Sequence, residues 1–287
     1  PIINGEKGNI TEYLHFDGTN DGDFVLHSLS GGLRENMVPE AGRAVFSGPV
    51  DLDILQEKLA AFTAENPVTA SLTEEAGRFQ LEVIGKSAHG ASPASGINGV
   101  TYLANFLSQF AFAGPAKAYL TIAGQILHQD HFGQATGVAY EDEKMGKLTM
   151  NAGVFSFDAA SSDNRIALNF RFPQGTDEKK IQAVLEGLEG VREVSLSQHM
   201  HTPHYTPMED ELVSTLLSVY EKQTGLKGYE QIIGGGTFGR LLKRGVAFGA
   251  MFPGYTDTMH QANEFADVED LYRATAIYAE AIYELIK

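Results

Sequence analysis

The chain contains no cysteine. That excludes disulfides, thiolate metal ligands and a cysteine nucleophile, and it fits a reducing compartment. No apolar run approaches the roughly 18 residues of a membrane span, and no charged-then-apolar signal pattern opens the chain. Basic residues are scarce: 21 Lys and Arg stand against 37 Asp and Glu, a net charge of −16. Phosphate binding needs a basic face, so nucleic acid is not an expected partner. These absences together predict a cytoplasmic protein that takes a small molecule or a cationic ligand, with no membrane or nucleic-acid partner. An initiator Met is absent too. The chain opens Pro1-Ile2-Ile3-Asn4-Gly5-Glu6-Lys7-Gly8, a Gly-rich approach to a strand, and the expectation is that residues precede it.

What is present suffices for a full core. The chain has 287 residues, 43% of them apolar, enough for two domains or one large one. Residues 11–16 predict a strand, and the polar turn 17–23 has hairpin chemistry leading into a second strand from Phe24 to Ser30. Residues 42–47 read as a strand. Leu52, Leu55, Leu59 and Phe62 recur at helical spacing within Asp51–Glu65. Val68–Leu72 and Phe79–Lys86 form a hairpin around Glu74-Glu75-Ala76-Gly77. A small-residue loop, Ser87 to Gly99, runs into a helix over 97–112, and helical patterning resumes over 116–128. Strands follow at 148–157 and 165–172, a helix at 177–188 and a strand at 191–199. The alternation of strands and helices repeats roughly, which predicts two α+β units side by side. Beyond residue 205 the pattern becomes helix, strand, helical turns, strand and helix, the mark of a parallel sheet. The predicted organisation is a connection at 1–9, a double α+β domain at 10–205 and an α/β segment at 206–287.

Several places could carry chemistry. Gly234-Gly235-Gly236-Thr237 sits between a strand and a helical turn, where bare N–H groups bind anions. A tight turn needing positive φ explains it equally. Arg171, flanked by Phe170 and Phe172, must find a partner if desolvated. A bound carboxylate or an internal ion pair would each serve. His260 lies in a loop after an apolar run, a position suited to a metal ligand or to a plain structural histidine. His15-Phe16-Asp17 and Glu74-Glu75 mimic metal-binding motifs, but both sit in charged turns expected to be solvated. His128-Gln129-Asp130-His131 reads as an exposed polar loop, and His199, His201 and His204 as a histidine-rich linker.

Five segments in order resemble one family. They are Gly31-Gly32 through Asn36-Met37-Val38-Pro39, Gly85-Lys86-Ser87-Ala88-His89-Gly90, Asn169-Phe170-Arg171-Phe172-Pro173, Gly234-Gly235-Gly236-Thr237, and Asp257-Thr258-Met259-His260-Gln261. Together they look like the aminoacylase/carboxypeptidase clan of dinuclear-zinc metallopeptidases, and within it the bacterial PepV-type Xaa-His dipeptidases. The resemblance implies a mixed α+β and α/β fold: a double-sized α+β lid domain followed by the C-terminal βαβα segment of a catalytic domain. It implies that His260 is a zinc ligand, that His89 stabilises the oxyanion, and that Arg171 grips the substrate's C-terminal carboxylate. Asn36 would contact the substrate, with Gly235, Gly236 and Thr237 assisting the carboxylate.

The implied reaction is metal-assisted hydrolysis of a dipeptide, with a zinc-bridging water, a glutamate base and a closing lid. The family's other zinc ligands precede its lid and have no counterpart here, so this chain alone is expected to be inactive. A double-sized lid implies a monomer in which His89 serves its own chain, with the missing catalytic part as the alternative partner. The other readings are a non-catalytic carboxylate- or peptide-binding module, or a deacylase or carboxypeptidase of the same clan.

Overall fold

The computed structural model describes residues 1–287 except 19–21, 250, 257 and 259–262. Its contacts divide the chain into two compact units. The larger is Gly8–Thr202; the smaller joins Pro1–Lys7 to Pro203–Lys287. Strand β1 (Ile2–Glu6) begins the smaller unit. The larger unit then runs β2 (Gly8–Phe16), β3 (Val25–Gly31), β4 (Ala41–Ser47), α1 (Leu52–Glu65), β5 (Thr69–Glu75), β6 (Arg78–Ile84), α2 (Gly99–Leu107) and α3 (Gly114–Thr121). It continues with the short pair β7 (Glu141–Asp142) and β8 (Gly146–Lys147), then β9 (Thr149–Asp158), β10 (Asn164–Phe172), α4 (Glu178–Leu185) and β11 (Glu193–Leu196). The smaller unit resumes with β12 (His204–Tyr205), α5 (Glu211–Thr224), β13 (Glu230–Ile233), β14 (Ala247–Phe248) and α6 (Val268–Ile286).

In the larger unit the two expected α+β halves share one continuous sheet, ordered β11-β2-β10-β9-β3-β4-β6-β5. Every pairing in it is antiparallel. Strand alternation gives the sheet two different faces. On β2, Ile10, Leu14 and Phe16 are buried with Leu55, Leu59 and Phe62 of α1, most of α2, Tyr119 of α3, and Ile181 and Leu185 of α4. The Phe16 and Tyr119 rings meet edge-to-face at 4.9 Å. The opposite face is polar. Its register sets Asn9 beside Arg171, Thr11 beside Asn169 and His15 beside Arg165, and Ser195 beside Tyr13. This polar face carries the candidate site.

The turn 17–23 does not close a β2–β3 hairpin: β2 pairs with β10 and β11, and β3 with β4 and β9. Turn chemistry is local, whereas here two strands from far along the chain fill the space between. The expected hairpin β5–β6 does form, and the two strands expected at 148–157 and 165–172 pair with each other as β9 and β10. Helical pattern over 116–128 resolves into α3 and a π-helical turn at Ile122–Ile126, and the strand expected at 191–199 shortens to β11.

In the smaller unit β1 lies between its partners, parallel to β13 and antiparallel to β12 and β14. Ile2–Glu6, within the stretch expected as a connection, are thus a sheet strand. The apolar run at 246–252 yields only the two-residue β14 among the described residues, and it runs antiparallel to β1. Val213, Leu216, Leu217 and Tyr220 of α5 pack with Ala274, Ile277 and Ala281 of α6. Leu271 and Ile282 of α6 are exposed. No described helix is long and apolar enough to cross a membrane.

Candidate active site

Asn36 stands on the turn between β3 and β4, and glycines let that turn lie flat on the sheet. Gly32 has φ +88°, and a Cβ there would come within 1.9 Å of the Gly153 carbonyl oxygen. Asn151 Nδ2 donates to the Glu35 carbonyl at 2.8 Å and the Met37 carbonyl at 2.9 Å, pinning the turn to β9. The loop after β6 joins the same turn. Val38 N–H donates to Ala88 O at 2.8 Å and Gly90 N–H to Asn36 O at 2.7 Å. Met37 and His89 therefore face each other as an antiparallel bridge, and His89 and Asn36 are held on adjacent strands of backbone.

The His89 ring is oriented by its own loop. Ala91 N–H donates to Nδ1 at 3.1 Å, so in the neutral imidazole the proton sits on Nε2. Partial desolvation by its surroundings first, and the positive Arg171 second, hold its pKa below the usual histidine value. The exposed ring thus presents a neutral N–H donor near neutral pH.

Arg171 lies on β10 with 7% of its surface exposed. It lines a cavity of about 270 Å³ on the polar face together with Asn36, Glu35, Asn169, Tyr13 and His199. Asn169 Nδ2 donates to Asn9 Oδ1 and Thr11 Oγ1, each at 3.0 Å, and to the Ile10 carbonyl oxygen at 3.2 Å, an acceptor only, which fixes the amide. Its Oδ1 is buried with no hydrogen-bond partner among the described residues. The Tyr13 hydroxyl donates to Glu35 Oε1 at 3.3 Å. Sequence reasoning missed Glu35, Asn169 and Tyr13. Strand alternation alone puts Asn169 on the face of Arg171, two residues along β10, whereas Tyr13 is placed there only by the β2–β10 register.

In the smaller unit the Gly-rich turn does bind a carboxylate, but the chain's own. Glu6 is 1% exposed. It accepts from the Thr237 N–H at 2.9 Å and from the Thr237 hydroxyl. Arg240 Nε donates to it at 2.7 Å. The Thr237 amide expected to assist a substrate carboxylate is occupied by Glu6 in this structure. Gly235 is less crowded: a Cβ added there would meet only the Ile233 side chain, at 3.8 Å.

His260 lies outside the described residues. Among the described residues no group of three or more His, Cys, Asp and Glu could hold a metal ion, so they do not fit a zinc cage. The mimicking motifs have structural partners. His15 Nδ1 lies 2.8 Å from Asp163 and Nε2 2.8 Å from Ser195 Oγ, Asp17 pairs with Arg192, and Glu74 and Glu75 are exposed on edge strand β5. Asp130 accepts from Gln134 N–H, Thr136 N–H and the Thr136 hydroxyl, and His128 packs edge-on to Tyr102 at 4.4 Å.

The sequence profile of peptidase family M20/M25/M40 matches residues 8–284, and the chain belongs to that family. It is 42% identical over 291 residues to the Beta-Ala-Xaa dipeptidase of Lactobacillus delbrueckii subsp. lactis, covering 100% of this chain and 61% of that protein. It is 37% identical over 292 residues to the putative dipeptidase YtjP of Bacillus subtilis (strain 168), covering 100% of this chain and 62% of that protein. The chain thus spans about three-fifths of the length of these relatives. Among solved structures, the aminoacylhistidine dipeptidase of Vibrio alginolyticus aligns with TM-score 0.49 and 14% identity, over 100% of this chain and 63% of that one.

Proposed function

We propose that the protein is a zinc-dependent dipeptidase of the cytoplasm, acting on dipeptides with a free amino terminus. The observation that carries this reading is the larger unit's polar face, where Arg171 and Asn36 line one cavity and the His89 loop is bonded to the Asn36 turn. Family membership and the dipeptidase names of the relatives support it. Arg171 binds the substrate's C-terminal carboxylate, for which a guanidinium fork is matched. Asn36 offers an amide to the peptide. His89 Nε2–H donates to the oxygen that gains charge as the scissile carbonyl becomes tetrahedral. All three come from one unit of one chain, so the reading needs no second subunit. Zinc enters through His260 and through the family likeness; the described residues gather no cage for it, and catalysis calls for ligands beyond them.

The test separates binding from chemistry in the protein showing dipeptide turnover. Arg171→Ala is expected to raise KM roughly 10- to 100-fold with little change in kcat, the loss of a charge-assisted contact made equally in ground and transition states. His89→Ala is expected to lower kcat by roughly 100-fold or more with KM nearly unchanged. Wild-type kinetics in both variants would remove the reading.

A further inference from the structure

Two charges of opposite sign line the Arg171 cavity, and the proposed function uses only one. Glu35 shares that cavity. Its backbone is fixed by Asn151 at 2.8 Å, and a Cβ on Gly153 would meet the Glu35 carbonyl oxygen at 2.2 Å, so β9 and the turn pack without slack. Its carboxylate takes the Tyr13 hydroxyl on Oε1 at 3.3 Å. Asn169 lines the same cavity, and its Oδ1, in a residue 3% exposed, is buried with no partner among the described residues. Its amide is held with Nδ2 turned away, because Nδ2 donates to the Ile10 carbonyl oxygen at 3.2 Å, a group that can only accept, besides Asn9 Oδ1 and Thr11 Oγ1. A buried acceptor without a donor is costly, and one lining a cavity is satisfied by a ligand that brings N–H groups. An ammonium or guanidinium supplies several.

We infer that Glu35 and Asn169 form a cation subsite that selects dipeptides whose carboxy-terminal residue carries a positively charged side chain. The inference rests on Arg171 as the grip for the terminal carboxylate. That carboxylate and the side chain of its residue lie on the same side of the scissile bond. His89, the donor to the scissile carbonyl, does not line this cavity. The cavity therefore receives the carboxy-terminal residue, and the acceptors in its wall face that residue's side chain rather than the amino terminus.

The released amino acid should bind the same cavity, so the test needs neither metal nor turnover. L-lysine and L-norleucine, which differ only by the side-chain ammonium, are titrated calorimetrically into this chain. Lysine is expected to bind about 10-fold or more tightly than norleucine, the scale of a hydrogen-bonded charge pair. Glu35→Gln is expected to bring the two within about twofold, with norleucine affinity unchanged as the sign of an intact cavity. Glu35→Asp, keeping the charge on a shorter stem, is expected to retain part of the preference and serves if the amide disturbs the turn. Equal affinities in the wild type, or a preference that survives both substitutions, overturns the subsite. Arg171→Ala judges the underlying reading separately. If norleucine binding survives it, the carboxylate grip is wrong; if norleucine binding is lost while lysine never bound better, only the cation subsite is wrong. Failure of both amino acids to bind overturns both.

Discussion

Glu12 is a carboxyl group on the wrong side of its strand. It shares the apolar face of β2 with Ile10 and Leu14, is 0% exposed, and neither of its carboxyl oxygens has a hydrogen-bond partner among the described residues. Burial, then the neighbouring charges of Glu186 and Glu178, push its pKa up to about 8. A folded-state pKa above the unfolded one means that the folded chain holds a proton the unfolded chain has released. Stability is therefore full below the ordinary carboxylate range and is lost as pH rises towards 8. The loss amounts to on the order of 5 kcal/mol when complete. Glu12→Gln mimics the protonated acid. It is expected to raise Tm by roughly 10 °C at pH 8.5 and to leave it nearly unchanged at pH 4.5. Calorimetric melts at the two pH values check this, and a uniform shift would show that ionisation is not the cause. Single residues were the least legible scale of this sequence. Arg171 announced itself by its two Phe neighbours, whereas Glu35 and Tyr13 acquire meaning only from which strands lie side by side.

At the scale of elements, the loop from Ser87 to Asn98 shows how local sequence builds a site. Its small residues permit close backbone approach: a Cβ on Gly90 would meet Asn36 backbone at 2.8 Å, and one on Gly85, just before the loop, the Ile97 carbonyl oxygen at 2.1 Å. Asn98 ends the loop and caps α2, accepting from Val100 N–H and Thr101 N–H at 3.1 and 3.2 Å. Its Nδ2 ties the same point to Ala152 O on β9 at 2.8 Å. Asn98→Ala removes both, an expected cost of about 1–3 kcal/mol. Because the loop also carries His89, faster amide exchange over 87–98 should accompany the lower Tm; a lower Tm with unchanged exchange would confine Asn98 to capping. The helix starts and the adjacent hairpins were readable because caps, glycines and alternation are written locally. The false hairpin between β2 and β3 was not, because pairing β2 with β10 joins residues more than a hundred positions apart, and turn chemistry carries no information about that.

The whole molecule is a smaller unit with a larger one inserted into its chain. The insertion is closed at its base: Asn9 N–H donates to His201 O at 2.8 Å and His201 N–H to Asn9 O at 2.9 Å. The strands entering and leaving the larger unit are thus neighbours, as domain insertion requires. Each unit has its own apolar cluster, and the larger cluster draws on every helix and nearly every long strand between 8 and 202. The smaller unit leaves much apolar surface open, with Phe238 at 88% and Ile286 at 76% exposure, more than a small self-sufficient domain usually shows. The two units should therefore separate in behaviour. A fragment comprising residues 8–202 is expected to fold alone, melt in one cooperative step and stay monomeric, since excision breaks no ladder within its sheet. The excised smaller unit, with 1–7 joined to 203–287 by a short glycine linker, is expected to bind a hydrophobic dye and to self-associate. Sedimentation and dye titration of the two pieces decide the matter. A well-behaved smaller unit that leaves the dye dark would mean that its exposed apolar faces are covered by its own chain.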